Sequence, residues 1–169
     1  LLSFKLSQQG ERPVNKVIVA LDQVVAKVLH SQQLTIRGAA LHIEARLAPV
    51  SVIGEESALL AVADNLLSNA IKYSPQSGTI HIDLRRDGLL AVLDVIDQGP
   101  GIDPEEREQV FEGFFQGRAA EEGNVAGTGL GLASAREQVL AHGGSIEAVD
   151  ASERGAHLRV GLPACEEAR

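Results

Sequence analysis

Several residue types are scarce or missing in this chain. Tryptophan and methionine are absent, only 3% of the residues are aromatic, and Cys165 is the single cysteine. One cysteine excludes an internal disulfide framework and is typical of a reducing compartment. No apolar run approaches the length that spans a bilayer, and no signal peptide is visible. Because the chain begins at Leu1 and lacks methionine, we expect a piece of a longer protein.

Positive charge is also in short supply. The chain has 15 Lys and Arg against 23 Asp and Glu, and its formal net charge is −8. Proteins that bind a nucleic-acid backbone normally carry a basic patch, so the absence of a basic cluster predicts no nucleic-acid partner. An anionic ligand would need local compensation from a lysine, from backbone N–H groups or from a bound cation.

The 169 residues, 44% of them hydrophobic, predict one globular domain with a substantial core. Apolar periodicity and turn residues predict three long helices interleaved with antiparallel strands, and therefore a two-layer α/β sandwich. The predicted helices lie at about 15–37, 55–73 and 127–142, with a short acidic helix at 104–111. The predicted strands lie at about 41–47, 50–53, 79–86, 89–96, 145–149 and 156–162.

The second long helix carries the most informative pattern in the chain. Asn65, Asn69 and Lys72 fall within an arc of about 60° and Tyr73 follows them, whereas the opposite side is apolar. Two carboxamides and an ammonium suit a helix that presents a metal and phosphates to a pocket. Taken alone, the row is better explained as the solvated face of an amphipathic helix.

Two glycine-rich segments further along the chain would suit the same ligand as that row, and they therefore favour its interpretation as a binding site. In the first, Asp97 ends a buried strand and precedes Gly99 and Gly101, so a carboxylate could accept a hydrogen bond from an exocyclic amine while a ring approaches the backbone. A simple turn after a strand explains this segment about equally well. In the second, glycines at positions 127, 129 and 131 precede a helix, whose N-terminus favours phosphates. By itself, a flexible linker explains the second segment.

Together these segments resemble the ATP-binding catalytic domain of bacterial sensor histidine kinases. That domain belongs to a superfamily shared with gyrase, a heat-shock chaperone ATPase and mismatch-repair ATPases. The four matching motifs occur in the family's order and cover about residues 11–163. They are the N box (65–73), the G1 box (97–101), the F box (111–115) and the G2 box (127–131). The segment Phe114-Phe115-Gln116-Gly117 is similar to that of the GlrK-type subgroup.

The resemblance implies a Bergerat fold, in which a mixed sheet of about five strands faces three helices and a mobile lid covers ATP and Mg²⁺. It implies the following ligands. Asn69, with Asn65 assisting, would bind Mg²⁺; Lys72 would contact phosphate; Tyr73 and Ile102 would flank adenine; Asp97 would accept from the adenine amino group; Gly99, Gly101, Phe111, Gly127, Thr128, Gly129, Leu130 and Gly131 would complete the cofactor site. Asn69 and Lys72 would be the catalytic residues.

The resemblance also implies an activity, partners and a location. The domain would transfer the γ-phosphoryl of ATP to a histidine on a dimerisation domain absent from this chain, for relay to a response regulator. Residues 1–10 would be the tail of that domain or a linker, 11–163 the catalytic domain with its lid at about 102–128, and 164–169 a tail. The whole protein would be a homodimeric inner-membrane sensor with this domain in the cytoplasm.

Two positions depart from the family pattern. Many relatives carry an arginine where this chain has Gln116, and Arg118 lies two residues further on. Ala156 stands where relatives often have a small hydroxyl residue.

Three other classes of function stay open. A clamp ATPase would carry Glu in place of Asn65, to activate water, and commonly Asp in place of Lys72. An anti-sigma serine kinase would typically keep an acidic residue at position 65. A non-catalytic nucleotide-binding module is the third alternative.

Overall fold

The computed structural model describes residues 16–112, 131–151 and 155–166. The elements, in chain order, are β1 (Val17–Ala20), α1 (Leu21–Ser31), α2 (Gln33–Gly38), β2 (His42–Leu47), β3 (Ser51–Gly54), α3 (Glu56–Tyr73), β4 (Thr79–Asp87), β5 (Leu90–Ile96), two 3₁₀ turns (Pro104–Glu106 and Gln109–Phe111), α4 (Gly131–Ala141), β6 (Ser145–Val149) and β7 (His157–Pro163).

A five-stranded mixed sheet forms one layer, in the order β2-β4-β5-β7-β6. β2 and β4 run parallel, while every other neighbouring pair in this sheet is antiparallel. Alternate residues of a strand point to opposite faces, and this sequence places aliphatic residues on one face and mostly polar ones on the other. The two-layer α/β sandwich with a five-stranded mixed sheet is therefore confirmed.

The helices α1, α3 and α4 cover the aliphatic face of the sheet and enclose the core. α3 is the central one, since it packs against both α1 and α4 as well as against β5. Leu59 and Leu66 of α3 and Ile80 of β4 are almost completely buried. Each such side chain contributes about 1.5–3 kcal/mol of hydrophobic free energy, so the position of α3 is well determined. Among these helices, none combines the length and hydropathy that crossing a bilayer needs.

The first predicted helix was wrong at its start. Val17–Ala20 is a strand that pairs antiparallel with Ser51–Gly54 in a separate two-stranded ribbon, and the helical part is divided into α1 and α2. Three consecutive β-branched residues favour an extended backbone, and the partner strand supplies hydrogen-bond partners for its N–H and C=O groups. Val17, which a helix would have turned inward, is 55% exposed.

The predicted acidic helix at 104–111 consists of two single 3₁₀ turns. Near the other end of the chain, the segment predicted as a tail begins with residues that are hydrogen-bonded to the domain. The Ala164 N–H donates to the Leu89 carbonyl (2.9 Å), and the Cys165 N–H donates to the Ser51 carbonyl (2.7 Å).

His142, which directly follows the last residue of α4, holds the beginning of α3. The Glu55 N–H donates to His142 Nε2 at 3.2 Å, and His142 Nδ1 lies 2.7 Å from the Gln138 carbonyl oxygen. This geometry requires the neutral tautomer that carries its proton on Nδ1. The bond caps one of the backbone donors that a helix N-terminus leaves unpaired, and it joins α3 to the end of α4.

Candidate functional site

α3 presents the predicted polar row beside the core. Asn65 and Asn69 are partly buried, Lys72 is exposed and Tyr73 is partly buried. The rest of the helix packs inward. Seven of its residues are buried, namely Ala58, Leu59, Val62, Ala63, Leu66, Leu67 and Ala70. Since these contacts hold the helix against the core, the row lies along one edge of the candidate site.

The start of α4 meets this row. A β-carbon at position 131 would lie 3.4 Å from Asn65 Oδ1, so glycine leaves the carboxamide uncrowded there. The structure therefore brings Asn65 together with the last glycine of the predicted G2 box. The predicted site residues Gly127, Thr128, Gly129 and Leu130 lie outside the described residues, as do Gln116 and Arg118.

The segment after β5 meets the other end of the row. A β-carbon at position 99 would collide with the backbone carbonyl of Tyr73, so only glycine allows this approach. Gly101 has a φ of +85°, in the left-handed region that glycine tolerates without strain. The end of α3 and the predicted G1 box are thus in direct backbone contact.

Asp97 is the buried carboxylate of this region, with 3% of its surface exposed. Its Oδ1 accepts hydrogen bonds from the backbone N–H groups of Gly99 (2.9 Å) and Ala156 (3.1 Å). Burial raises the pKa of the Asp97 carboxyl, and these two bonds oppose the rise without cancelling it. Both bonds end on Oδ1, so Oδ2 is the oxygen that could accept a hydrogen bond from a ligand.

Sequence reasoning missed the strand-entry residue Gly155. It has a φ of +130°, and a β-carbon there would collide with the Asp97 carbonyl oxygen. The Asp97 N–H also donates to the Ala156 carbonyl at 3.0 Å. The only signal in the sequence is a glycine at the start of a strand. Gly155 and Ala156 therefore hold Asp97 in place through backbone contacts.

The structure places Ile102 and Phe111 at the core rather than on an open surface. Phe111 belongs to the core cluster and is 5% exposed, and Ile102 is partly buried and packs against that cluster. Their predicted contacts with a ligand stay predictions. Together, α3, α4 and the segment from Asp97 to Gly101 combine carboxamides, a lysine and a buried carboxylate in one region, a donor set suited to a phosphorylated ligand with an amino-bearing ring.

Comparison with known proteins gives the same reading. Residues 54–166 match the family described as histidine kinase-, DNA gyrase B-, and HSP90-like ATPase. The chain belongs to this family. Within it, the chain is 35% identical over 156 residues to sensor histidine kinase GlrK of Escherichia coli K12, a match that covers 92% of the chain and 33% of GlrK.

Two mycobacterial proteins are similarly close. The chain is 34% identical to sensor-like histidine kinase SenX3 of Mycobacterium tuberculosis H37Rv, over 99% of the chain and 41% of SenX3. The solved structure of a mycobacterial sensor histidine kinase MprB superimposes with a TM-score of 0.77 at 34% identity, over 88% of the chain and 97% of that structure. The chain is thus an ATP-binding domain of the histidine kinase type. It spans 33% of the length of GlrK and 41% of the length of SenX3. The likeness to the GlrK-type subgroup in particular stays a prediction because SenX3 is about equally similar.

Proposed function

We propose that this domain binds ATP with Mg²⁺ between α3 and the beginning of α4 and transfers the γ-phosphoryl group to a protein histidine. The observation that carries the proposal is the carboxamide of Asn65 beside Gly131. A carboxamide cannot act as a general base. Water at this position is therefore not activated, and the phosphoryl group is kept for another side chain.

The proposed ligands follow from the donors present. Mg²⁺ binds hard oxygen atoms and usually keeps waters and substrate phosphates in its shell, and the carboxamide oxygens of Asn69 and Asn65 fit that requirement. Lys72 would neutralise phosphate charge. Tyr73 would flank adenine, and Asp97 Oδ2 would accept a hydrogen bond from its amino group. Catalysis would consist largely of positioning and charge neutralisation.

In the transfer step one bond to phosphorus replaces another, and the proton on the acceptor's other ring nitrogen passes to water. A ring nitrogen of the acceptor histidine attacks the γ-phosphorus with its lone pair and forms a P–N bond. The bond between the γ-phosphorus and the bridging oxygen breaks, and ADP leaves with that oxygen. A response regulator aspartate would then take the phosphoryl group from the histidine.

The acceptor histidine would lie on a dimerisation domain of the same protein. We propose residues 11–163 as the catalytic domain, with a lid at about 102–128. The preceding residues would join it to the dimerisation domain. Residues 164–169 would form a tail whose first two residues, Ala164 and Cys165, are hydrogen-bonded to the domain. The parent protein would be a homodimeric inner-membrane sensor that holds this domain in the cytoplasm.

A transfer assay tests the proposed reaction. The chain is mixed with a separately made dimerisation domain and with γ-labelled ATP, with and without Mg²⁺. We expect Mg²⁺-dependent, acid-labile label on a histidine of the second domain. Rapid release of free phosphate without transfer would instead identify an ATPase, and absence of nucleotide binding would leave only the sandwich fold.

We expect Asp97→Asn to weaken ATP binding at least about 10-fold, because hydrogen bonds to charged groups contribute about 1.5–3 kcal/mol. Asparagine can keep its oxygen on the N–H groups of Gly99 and Ala156, which turns its amide donors toward the adenine amino group. Stability should change little, since both backbone bonds survive. Calorimetry with non-hydrolysable analogues of ATP and of inosine triphosphate checks this. The variant should lose less affinity for the inosine analogue, because its 6-oxo group can accept from the asparagine amide. Unchanged ATP affinity in the variant excludes Asp97 from adenine recognition.

A further inference from the structure

Gln32, which lies between α1 and α2, joins that corner of the domain to α3 through two hydrogen bonds. Its Nε2 donates to Asp64 Oδ1 at 2.8 Å and to Ser68 Oγ at 3.0 Å. All three side chains are partly buried. One carboxamide therefore holds two successive turns of α3, from a position more than thirty residues earlier in the chain.

The two acceptors are the immediate neighbours of the site carboxamides. Asp64 and Ser68 are four residues apart and form one row along α3, and Asn65 and Asn69 form a second row about 100° around the helix. Because a helix turns as a unit, any change in its roll moves both rows together. A bond to the first row therefore sets the direction in which the second row points.

Hydrocarbon contacts on the buried side of α3 resist its displacement but are not directional, whereas hydrogen bonds weaken steeply when they are misaligned. A side-chain oxygen roughly 6 Å from the helix axis moves about 1 Å when the helix rolls by about 10°. A binding constellation has to be held within about 0.5 Å and 10–20°. The space beside Asn65 is also limited, since a β-carbon added at Gly131 would lie 3.4 Å from its side-chain oxygen.

We propose that Gln32 is a positioning residue for the nucleotide site. It fixes the roll of α3 through Asp64 and Ser68 and thereby aims Asn65 and Asn69 at Mg²⁺ and the phosphates. This inference rests on the proposed function. Gln32 would thus act on the site through α3 rather than through a ligand contact of its own, and it lies outside the four motifs.

The chain offers a matched control. Lys27 of α1 also bonds to α3, since its Nζ lies 2.6 Å from Glu56 Oε1, but this pair is exposed and sits in the first turn of α3. Gln32→Met removes the two hydrogen bonds to α3 from the residue that follows α1, and Lys27→Met removes one bond to α3 from within α1. Each variant keeps an unbranched side chain of similar length. Only the first removes a link beside the carboxamides.

The experiment measures, by calorimetry, the affinity for a non-hydrolysable ATP analogue with Mg²⁺ and with EDTA. The ratio of the two affinities is the gain due to Mg²⁺. We expect Gln32→Met to reduce this gain about 10-fold, the effect typical of losing a residue that orients a metal ligand, and Lys27→Met to change it less than about 2-fold. Thermal unfolding of both variants reports stability separately.

Two further variants keep the test decisive if Gln32→Met does not fold. Asp64→Ala removes an acceptor from the other side and should reduce the gain similarly, whereas Asp64→Asn retains an acceptor oxygen and should preserve most of it. An unchanged gain in Gln32→Met, or an equal loss in Lys27→Met, overturns the positioning role while the wild-type chain still binds the Mg²⁺ nucleotide. If the wild-type chain does not bind it, the proposed function itself fails.

Discussion

Replacing Asn69 with alanine is expected to weaken Mg²⁺-dependent ATP binding roughly 100-fold and to leave the fold intact. Its carboxamide oxygen is a hard ligand of the kind that Mg²⁺ prefers, and Asn65, which faces Gly131, lies one turn earlier in α3. Removing this ligand oxygen should cost about 3 kcal/mol of binding free energy, the upper end of the range for hydrogen bonds to charged groups. The helix should survive because alanine is the best helix former and Asn69 is not part of the core cluster.

Calorimetry with a non-hydrolysable ATP analogue, with and without Mg²⁺, measures the effect, and far-ultraviolet circular dichroism checks the fold. Ser57→Ala is a suitable control. Ser57 lies exposed in the first turn of the same helix, where its hydroxyl donates to the carboxylate of Glu55 at 2.9 Å. Its removal should leave Mg²⁺-dependent affinity unchanged. Retention of that affinity in Asn69→Ala would place Asn69 outside the site.

The orientation of α3 was predictable because its signals are local. A single apolar periodicity runs from Glu56 to Tyr73, and Ser74-Pro75 ends it. Asn65 and Asn69 interrupt that periodicity on one side, and the structure leaves them only partly buried. Spacing alone therefore identified both the helix and the row that it presents.

The strand β1 was not predictable in the same way, because its structure depends on a distant partner. Val17–Ala20 precedes α1 without a break, and its apolar residues fit a helical pattern as well as an extended one. Its pairing with Ser51–Gly54 decides between the two. The surroundings of Asp97 are also non-local, since Ala156, which donates to it, lies 59 residues further along the chain.

The apolar pattern of the sequence also did not reveal a charge network on the polar face of the sheet. Asp94 interrupts an otherwise apolar strand and is 4% exposed. Its Oδ1 lies 2.7 Å from Arg159 Nε and 2.6 Å from His157 Nε2, and its Oδ2 lies 2.6 Å from an Arg85 guanidinium nitrogen. Three partners on strands β4 and β7 thus enclose one carboxylate of β5.

We expect Asp94→Ala to lower the free energy of unfolding by about 3 kcal/mol, because it leaves Arg85, Arg159 and the largely buried His157 without the carboxylate that they share. Arg85 and Arg159 are 39% and 35% exposed, so water relieves part of their loss and holds the effect at the lower end of the range. Asp83→Ala is the matched control. Asp83 is the cross-strand neighbour of Asp94 and also bonds to Arg85, but it is 38% exposed. Its removal should lower the free energy of unfolding by less than about 1 kcal/mol.

The pH dependence of stability separates this network from simple packing. Burial opposes the charged form of Asp94, but the hydrogen bonds from Arg85, Arg159 and His157 together outweigh it and lower its pKa below 3.8. A carboxyl with a lowered pKa in the folded state stabilises the fold above its unfolded pKa, and that contribution is lost as the pH falls through the folded pKa. Urea unfolding from pH 7 to pH 3 should therefore show the wild-type chain losing its advantage over Asp94→Ala below about pH 4. A constant difference between the two across that range would mean that the carboxylate contributes through its shape rather than through its charge.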